Sequence, residues 1–247
     1  MLESFSINTF DEVTSTQETA KEQLKAGKLI HVAVISALNQ TNARGRNNCL
    51  WISNKGNIAI TIALKPGLDT DQAYQISYIA GIAVLKSILT LNRNIDVKLK
   101  WVNDVLVRGK KVAGILIEKV EHGFLLVGIG INIHPNPDIT RLGAASLEDF
   151  HLEIKHKDFQ NTILNKFQKY YNNWVEFGYI PVRNLWLQNA YGVAKNIAIN
   201  YANGSRDYGI FLDINETGSL LLLDNQNKVI QVNAGEVFFN TNIRNLV

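Results

Sequence analysis

A lysine and an aspartate, Lys111 and Asp104, stand seven residues apart in a short β-rich stretch, and each could hold a charge for chemistry. The stretch reads Lys100-Trp101-Val102-Asn103-Asp104, then Lys111-Val112-Ala113-Gly114-Ile115-Leu116. An ammonium and a carboxylate mounted on strands are held within a fraction of an ångström, as charge-handling sites require. The bland reading stands beside it. A turn rich in basic residues (Arg108, Lys110, Lys111) suits solvation, and Asn-Asp pairs such as Asn103-Asp104 are common turn residues. A second candidate is the loop Gln40-Thr41-Asn42-Ala43-Arg44-Gly45-Arg46-Asn47-Asn48. Gly45 lets the backbone approach an anion, and Arg44 and Arg46 can each grip phosphate or carboxylate bidentately.

Certain chemistries lack their residues. His31, His122, His134, His151 and His156 are scattered without HxxxH or HxH spacing, so no protein-ligated transition metal is expected. No GxSxG or GxxxxGK[ST] occurs. Gly128-Ile129-Gly130-Ile131-Asn132 closes a strand with no helix expected at Pro135–Pro137, so it is not a dinucleotide fingerprint.

The elements that must position these groups follow from pattern. Lys100–Asp104 and Lys111–Leu116 read as a hairpin between Val97, Leu99 and Ile115, Ile117, turning at Arg108-Gly109-Lys110. Ser15 and Glu18 have capping-box spacing for a helix that Gly27 ends after Lys25. Strands are expected at Phe5–Phe10, Leu29–Leu38, Trp51–Ser53, Asn57–Leu64 and Phe124–Ile133. Helical spacing runs from Asp71 to Leu91 and from Phe159 to Trp174, and a shorter helix covers Val182–Ala190, with Pro181 near its start. Beyond Tyr191, four short β runs separated by Asn-Gly and Thr-Gly turns have the spacing of a small all-β barrel. The domain boundary is therefore placed near residue 190, giving 1–190 and 191–247.

Composition bounds the class. In 247 residues, 46% hydrophobic and 19% charged, a substantial core is affordable and disorder is not expected. A net charge of +3 is no nucleic-acid footprint. Cys49 is the one cysteine, which excludes an internal disulfide and fits a reducing cytoplasm. The start Met1-Leu2-Glu3-Ser4 lacks a signal-peptide pattern, and no uncharged apolar run approaches the roughly 18 residues that span a membrane. A cytoplasmic protein is expected.

Taken in order, these motifs resemble those of the biotin protein ligases, from about Ser15 to Glu236. Lys100–Leu116 is similar to the family's KWPND…KxAGIL signature, Gln40–Asn48 to its QxxGRGRxGR loop, and Ser15-Thr16-Gln17 to its S-T-N/Q motif. Gly128–Asn132 is similar to its GxGIN strand end, and Tyr208–Glu236 to its SH3-like C-terminal domain. The resemblance implies an α/β (α+β) fold, a class II synthetase-like mixed sheet backed by helices plus a small SH3-like β-barrel. It implies a biotin site at Ser15, Thr16, Gln17, Gln40, Arg44, Gly45, Arg46, Lys111, Gly114 and Leu116. It implies nucleotide contacts at Arg44, Arg46, Asn103, Lys111 and Asn132, with Lys111, Asp104 and Arg44 catalytic. Lys111 would serve the phosphoryl centre, Asp104 would face the acceptor lysine, and Trp101 is read as core. ATP and Mg²⁺ join biotin as the implied small molecules, and the partner is a biotin carboxyl carrier domain of acetyl-CoA carboxylase. Ala43, Asn48 and Cys49 depart from the loop pattern, which should make it stiffer and less positive.

Fourteen residues before Ser15 leave no room for the winged helix-turn-helix of bifunctional members, so a monofunctional ligase that binds no DNA is expected, as monomer or weak homodimer. Two rivals stand. One is a lipoate or octanoate ligase or transferase of the same superfamily, which would need a long narrow apolar channel. The other is a non-enzymatic nucleotide or RNA binder using Arg44 and Arg46, whose loop lacks the aromatics of RNA modules.

Overall fold

The computed structural model describes residues 1–29, 32–66 and 73–239. Its centre is a seven-stranded mixed sheet built from β1 (Ser6–Val13), β2 (Ala33–Gln40), β3 (Ile58–Leu64), β4 (Val97–Lys100), β5 (Asp104–Val107), β6 (Lys110–Lys119) and β7 (Leu125–Ile131). The strand order is β1-β2-β3-β7-β6-β5-β4. Only the β1–β2 pair is parallel.

Period-2 alternation assigns the two faces of this sheet. Val105, Val107, Ile115, Val127, Ile129 and Ile131 belong to the main core, with Ile60, Ile62 and Leu64 of β3. That face is covered by α2 (Ala73–Leu91), on which α4 (His156–Phe177) and α5 (Tyr179–Gln188) pack in turn. Their apolar side chains are largely buried, each worth roughly 1.5–3 kcal/mol for a Leu, Ile or Phe. The residues between them, Asp104, Gly114, Leu116, Gly128 and Gly130, face the other way. There α1 (Thr16–Lys25) packs Ala20 on Ala33, Ile35, Ala63 and Leu126.

Several expectations are corrected. Lys100–Leu116 is a three-stranded meander, because Trp101-Val102-Asn103 forms a turn between β4 and β5. Arg108 (φ 47°) and Gly109 (φ 77°) make a two-residue turn, and Lys110 begins β6. Trp51–Ser53 is not a strand: its chain has left the sheet, and Trp51 N instead donates to Ala43 O at 3.0 Å. A short helix, α3 (Pro137–Arg141), does follow the glycine strand, capped by Asn136 and started by its proline. Glu18 does not complete a capping box; it pairs with Lys21 at 2.8 Å. By length and apolarity α2 could cross a membrane, yet 72% of its apolar 18-residue window is buried as the central helix of the core. The expected helix start at Asp71, and His31, lie outside the described residues.

The C-terminal strands form a second, antiparallel sheet: β8 (Asn196–Asn200), β9 (Arg206–Ile214), β10 (Leu220–Asp224), β11 (Val229–Val232) and β12 (Glu236–Phe238). Its order is β11-β10-β9-β8-β12. The expected barrel is thus an open five-stranded sheet: no pairing joins β11 to β12 among the described residues. All three residues of β12 pair with β8.

Candidate active site

The face of the large sheet opposite α2, the face on which α1 packs, carries a cavity of about 250 Å³, and the motif residues converge on it. Ser15, Thr16, Gln17, Gln40, Arg44, Gly45, Arg46, Asn103, Asp104, Lys111, Gly114 and Leu116 all line it. Asn132 does not. It lines a neighbouring cavity of about 540 Å³ that shares Trp51, Asp104 and Lys111 with the first.

At one end the start of α1 is fixed by hydrogen bonds. Ser15 Oγ accepts from Gln17 N at 3.2 Å, which caps the helix. Thr61 Oγ1 donates to Thr16 Oγ1 at 2.8 Å, and Gln40 Oε1 accepts from Thr16 N at 2.9 Å and from Thr16 Oγ1 at 3.2 Å. Gln17 Nε2 donates to Leu116 O at 3.3 Å, while its Oε1 is buried without a partner. A buried orphan acceptor is costly, so this oxygen suits a ligand N–H. Gly128 makes the approach feasible: a Cβ there would stand 3.3 Å from the Gln17 amide.

At the other end Lys111 Nζ lies 2.7 Å from Asp104 Oδ1 and 5.5 Å from the centre of the Trp51 ring. Asp104 begins β5, Lys111 is the second residue of β6, and a bulge between Val105 and Leu106 shifts the register between them. Trp51 is a functional-site residue that the sequence pattern does not reveal. Its ring rests on the strand glycines, and a Cβ would meet it at 3.0 Å on Gly114 and 2.8 Å on Gly130. The glycines of the Gly-Ile-Gly-Ile run therefore serve space on the site face, while Ile129 and Ile131 serve the core. Trp51 stands between the two cavities as their common wall.

The basic loop folds on itself. Arg44 and Leu50 form a bridge, Gly45 N donates to Cys49 O at 2.8 Å, and Arg44 Nη1 donates to Asn48 O at 3.3 Å. Neither Arg44 nor Arg46 forms an ion pair among the described residues. Both guanidiniums thus remain free of a carboxylate at the cavity edge. Asn103 lines the cavity, with its Nδ2 donating to Ile115 O at 2.7 Å. Asn132 is buried, donates from Nδ2 to Ala145 O at 3.2 Å, and keeps Oδ1 unpartnered. Gly235 and Glu236 of the second sheet also reach the first cavity, which local pattern does not reveal.

Comparison with known proteins agrees with this geometry. The family model for the biotin/lipoate A/B protein ligase family matches residues 9–136. The chain is 32% identical over 236 residues to the Biotin--[acetyl-CoA-carboxylase] ligase of Paracoccus denitrificans, covering 91% of this chain and 98% of that protein. It is 33% identical over 226 residues to the Bifunctional ligase/repressor BirA of Bacillus subtilis, covering 87% of this chain and 69% of that protein. Among solved structures, the biotin protein ligase from Aquifex aeolicus in complex with biotin and ATP superposes with a TM-score of 0.83 at 23% identity, over 94% of this chain and 97% of that one. At that identity the superposition speaks for the fold.

Proposed function

We infer the function from one premise: the chain belongs to the biotin/lipoate A/B protein ligase family, and it is an ATP-dependent biotin protein ligase. The observation that carries this is the Paracoccus relative, similar over 98% of its own length, whose name states the reaction. The convergence of the motif residues on one cavity supports it.

In the first half-reaction a carboxylate oxygen of biotin attacks the α-phosphorus of ATP. The bond to pyrophosphate breaks, leaving biotinyl-5′-AMP. Gln17 Oε1 and the Ser15–Thr16 hydroxyls receive the polar ureido end, and Gln40 and Thr61 hold Thr16 in place. Lys111, at the far end, faces the developing phosphoryl charge. To do so it exchanges Asp104 for the phosphate, which frees that carboxylate. In the second half-reaction the acceptor lysine attacks the acyl carbon, AMP leaves, and Asp104 orients the amine and takes its proton. Arg44 and Arg46 hold the phosphate side, and the loop around them excludes water from the anhydride. Asn132 Oδ1 offers the nucleotide an acceptor.

Mg²⁺ is part of the proposal as a companion of ATP. No group of three His, Cys, Asp or Glu side chains among the described residues is arranged to hold a metal. Asp104 and Glu236 are the carboxylates that line the cavity beside Lys111, and an ion carried in with the nucleotide would meet them there. When bound it offsets triphosphate charge.

The acceptor is a biotin carboxyl carrier domain. Residues 1–190 form the catalytic unit and 191–247 the appended one, in a cytoplasmic protein that is monomeric or weakly dimeric. The lipoate rival is disfavoured by the polar end built from Ser15, Thr16 and Gln17. Pyrophosphate release with ATP tests the choice: biotin should stimulate it and octanoate or lipoate should not. Stimulation by octanoate alone would replace this reading with its rival.

A further inference from the structure

We propose that the turn joining β9 to β10, residues 215–218 of the second sheet, is a positioning element for Asp104 that acts through Trp101. The proposal rests on the ligase reading and adds a remote support to its acceptor step.

Gly218 O accepts two hydrogen bonds from the large domain, one from Trp101 Nε1 at 3.2 Å and one from the Tyr78 hydroxyl. Trp101 is the first residue of the three-residue turn that ends at Asp104, and its ring is buried. Burial of the ring alone would not require its N–H to point at another sheet. A buried N–H needs an acceptor, and the one it finds is a backbone carbonyl 117 residues away.

The far end of the same turn is tied to β6: Asn103 Nδ2 donates to Ile115 O at 2.7 Å, and Ile115 N donates to Asn103 O at 2.9 Å. The segment that aims the Asp104 carboxylate is thus clamped once by its own sheet and once by the C-terminal sheet.

The clamping turn is itself rigid. Asn215 Oδ1 accepts from Thr217 N at 3.0 Å, Thr217 Oγ1 at 2.8 Å and Ser219 N at 2.9 Å. Gln75 Nε2 on α2 donates to Glu216 O at 3.1 Å, and Arg183 Nε on α5 donates to Ile214 O at 2.6 Å. Arg183 also pairs with Asp213. Gly218 has φ +83°, and a Cβ there would meet Tyr74 Cβ and Tyr78 Cε2 at 3.1 Å. Only glycine brings this carbonyl so close to both donors without strain. A carboxylate that must meet an incoming amine loses rate steeply with small misplacement.

The test uses the full chain and compares Trp101→Phe, Asp104→Asn and the double variant. Transfer from preformed biotinyl-AMP to a purified biotin carboxyl carrier domain is followed in a single turnover, beside pyrophosphate release. Trp101→Phe should slow transfer roughly tenfold, a part of what misorientation can cost, and change pyrophosphate release less than about twofold. The double variant should transfer no more slowly than Asp104→Asn alone, because both act through one carboxylate. Effects that multiply, or equal losses in both half-reactions, overturn the proposal and reduce Trp101 to packing. Tyr78→Phe removes the other donor to Gly218 and is judged by the same criterion, so it decides the matter if Trp101→Phe does not fold. A parent protein that forms no biotinyl-AMP overturns the functional reading and this proposal together; a competent parent with multiplying variants overturns this proposal alone.

Discussion

Two walls of the cavity are built in opposite ways. At the start of α1, Ser15, Thr16 and Gln17 are 6%, 3% and 6% exposed and are tied by side-chain hydrogen bonds to Gln40, Thr61 and Leu116. In the basic loop, Arg44 and Arg46 ride on a turn whose hydrogen bonds run mostly within residues 43–51. The first arrangement costs little to reorganise on binding and suits recognition of a small rigid ligand. The second can change shape without disturbing the core, which suits a cover over a reactive anhydride. Lys111, at the far end from α1, is paired with Asp104 and lies against Trp51.

Removing the Lys111 ammonium should have the largest effect. Lys111→Ala should lower adenylate formation roughly 10²–10³-fold, the usual cost of removing one preorganised electrostatic donor. Biotin affinity should fall much less. Pyrophosphate release at the parent rate in this variant would remove Lys111 from the chemistry.

The recognition end is tested by a buried change that touches no ligand. Thr61→Val removes the hydroxyl that donates to Thr16 Oγ1. Leaving that group short of a partner costs about 1–3 kcal/mol, so KM for biotin should rise roughly tenfold with kcat nearly kept. A fall in kcat at unchanged KM would show that this end is not a passive cradle.

Arg46→Ala sharpens the contrast at the loop. If its guanidinium retains the adenylate, biotinyl-AMP should escape into solution several-fold faster, with the thermal midpoint within a few degrees of the parent. Retention as long as in the parent protein would assign the loop's charge to another task.

The smallest expected effect concerns the seam rather than the site. Burial pushes the hydroxyls of Tyr78 and Tyr179 above the ordinary tyrosine value of 10.0. A group whose pKa is raised by folding adds stability below its unfolded value and loses it as pH rises through its folded one. Thermal stability should therefore be level to about pH 9 and fall above about pH 10. Tyr78→Phe should flatten that alkaline fall. An equally steep decline in the variant would place the sensitivity elsewhere.

Legibility in the sequence followed the range of the interaction. Ser15 as helix cap, the 3.6-residue spacing of α2 and α4, and the strand that ends at Gly128–Asn132 depend on neighbours within a turn or a strand, and all are readable. Trp51 is not. Its composition suits a strand, but its position is set by contact with Gly114 and Gly130, which are far away in the chain. The same limit hid Gly235 and Glu236 at the cavity and the bond from Trp101 to Gly218. Asn103 lines the cavity, and the turn between β4 and β5 ties its Nδ2 to Ile115 O, a partner that its motif position does not reveal.

The central claim is that this cavity activates biotin. Native mass spectrometry of the protein mixed with biotin, ATP and Mg²⁺, without an acceptor, tests it most directly. The expected result is a protein-bound species with the mass of biotinyl-5′-AMP, depleted when a biotin carboxyl carrier domain is added and its lysine becomes biotinylated. Protein carrying only unreacted biotin and ATP, or an adenylate formed from octanoate and not from biotin, would contradict it.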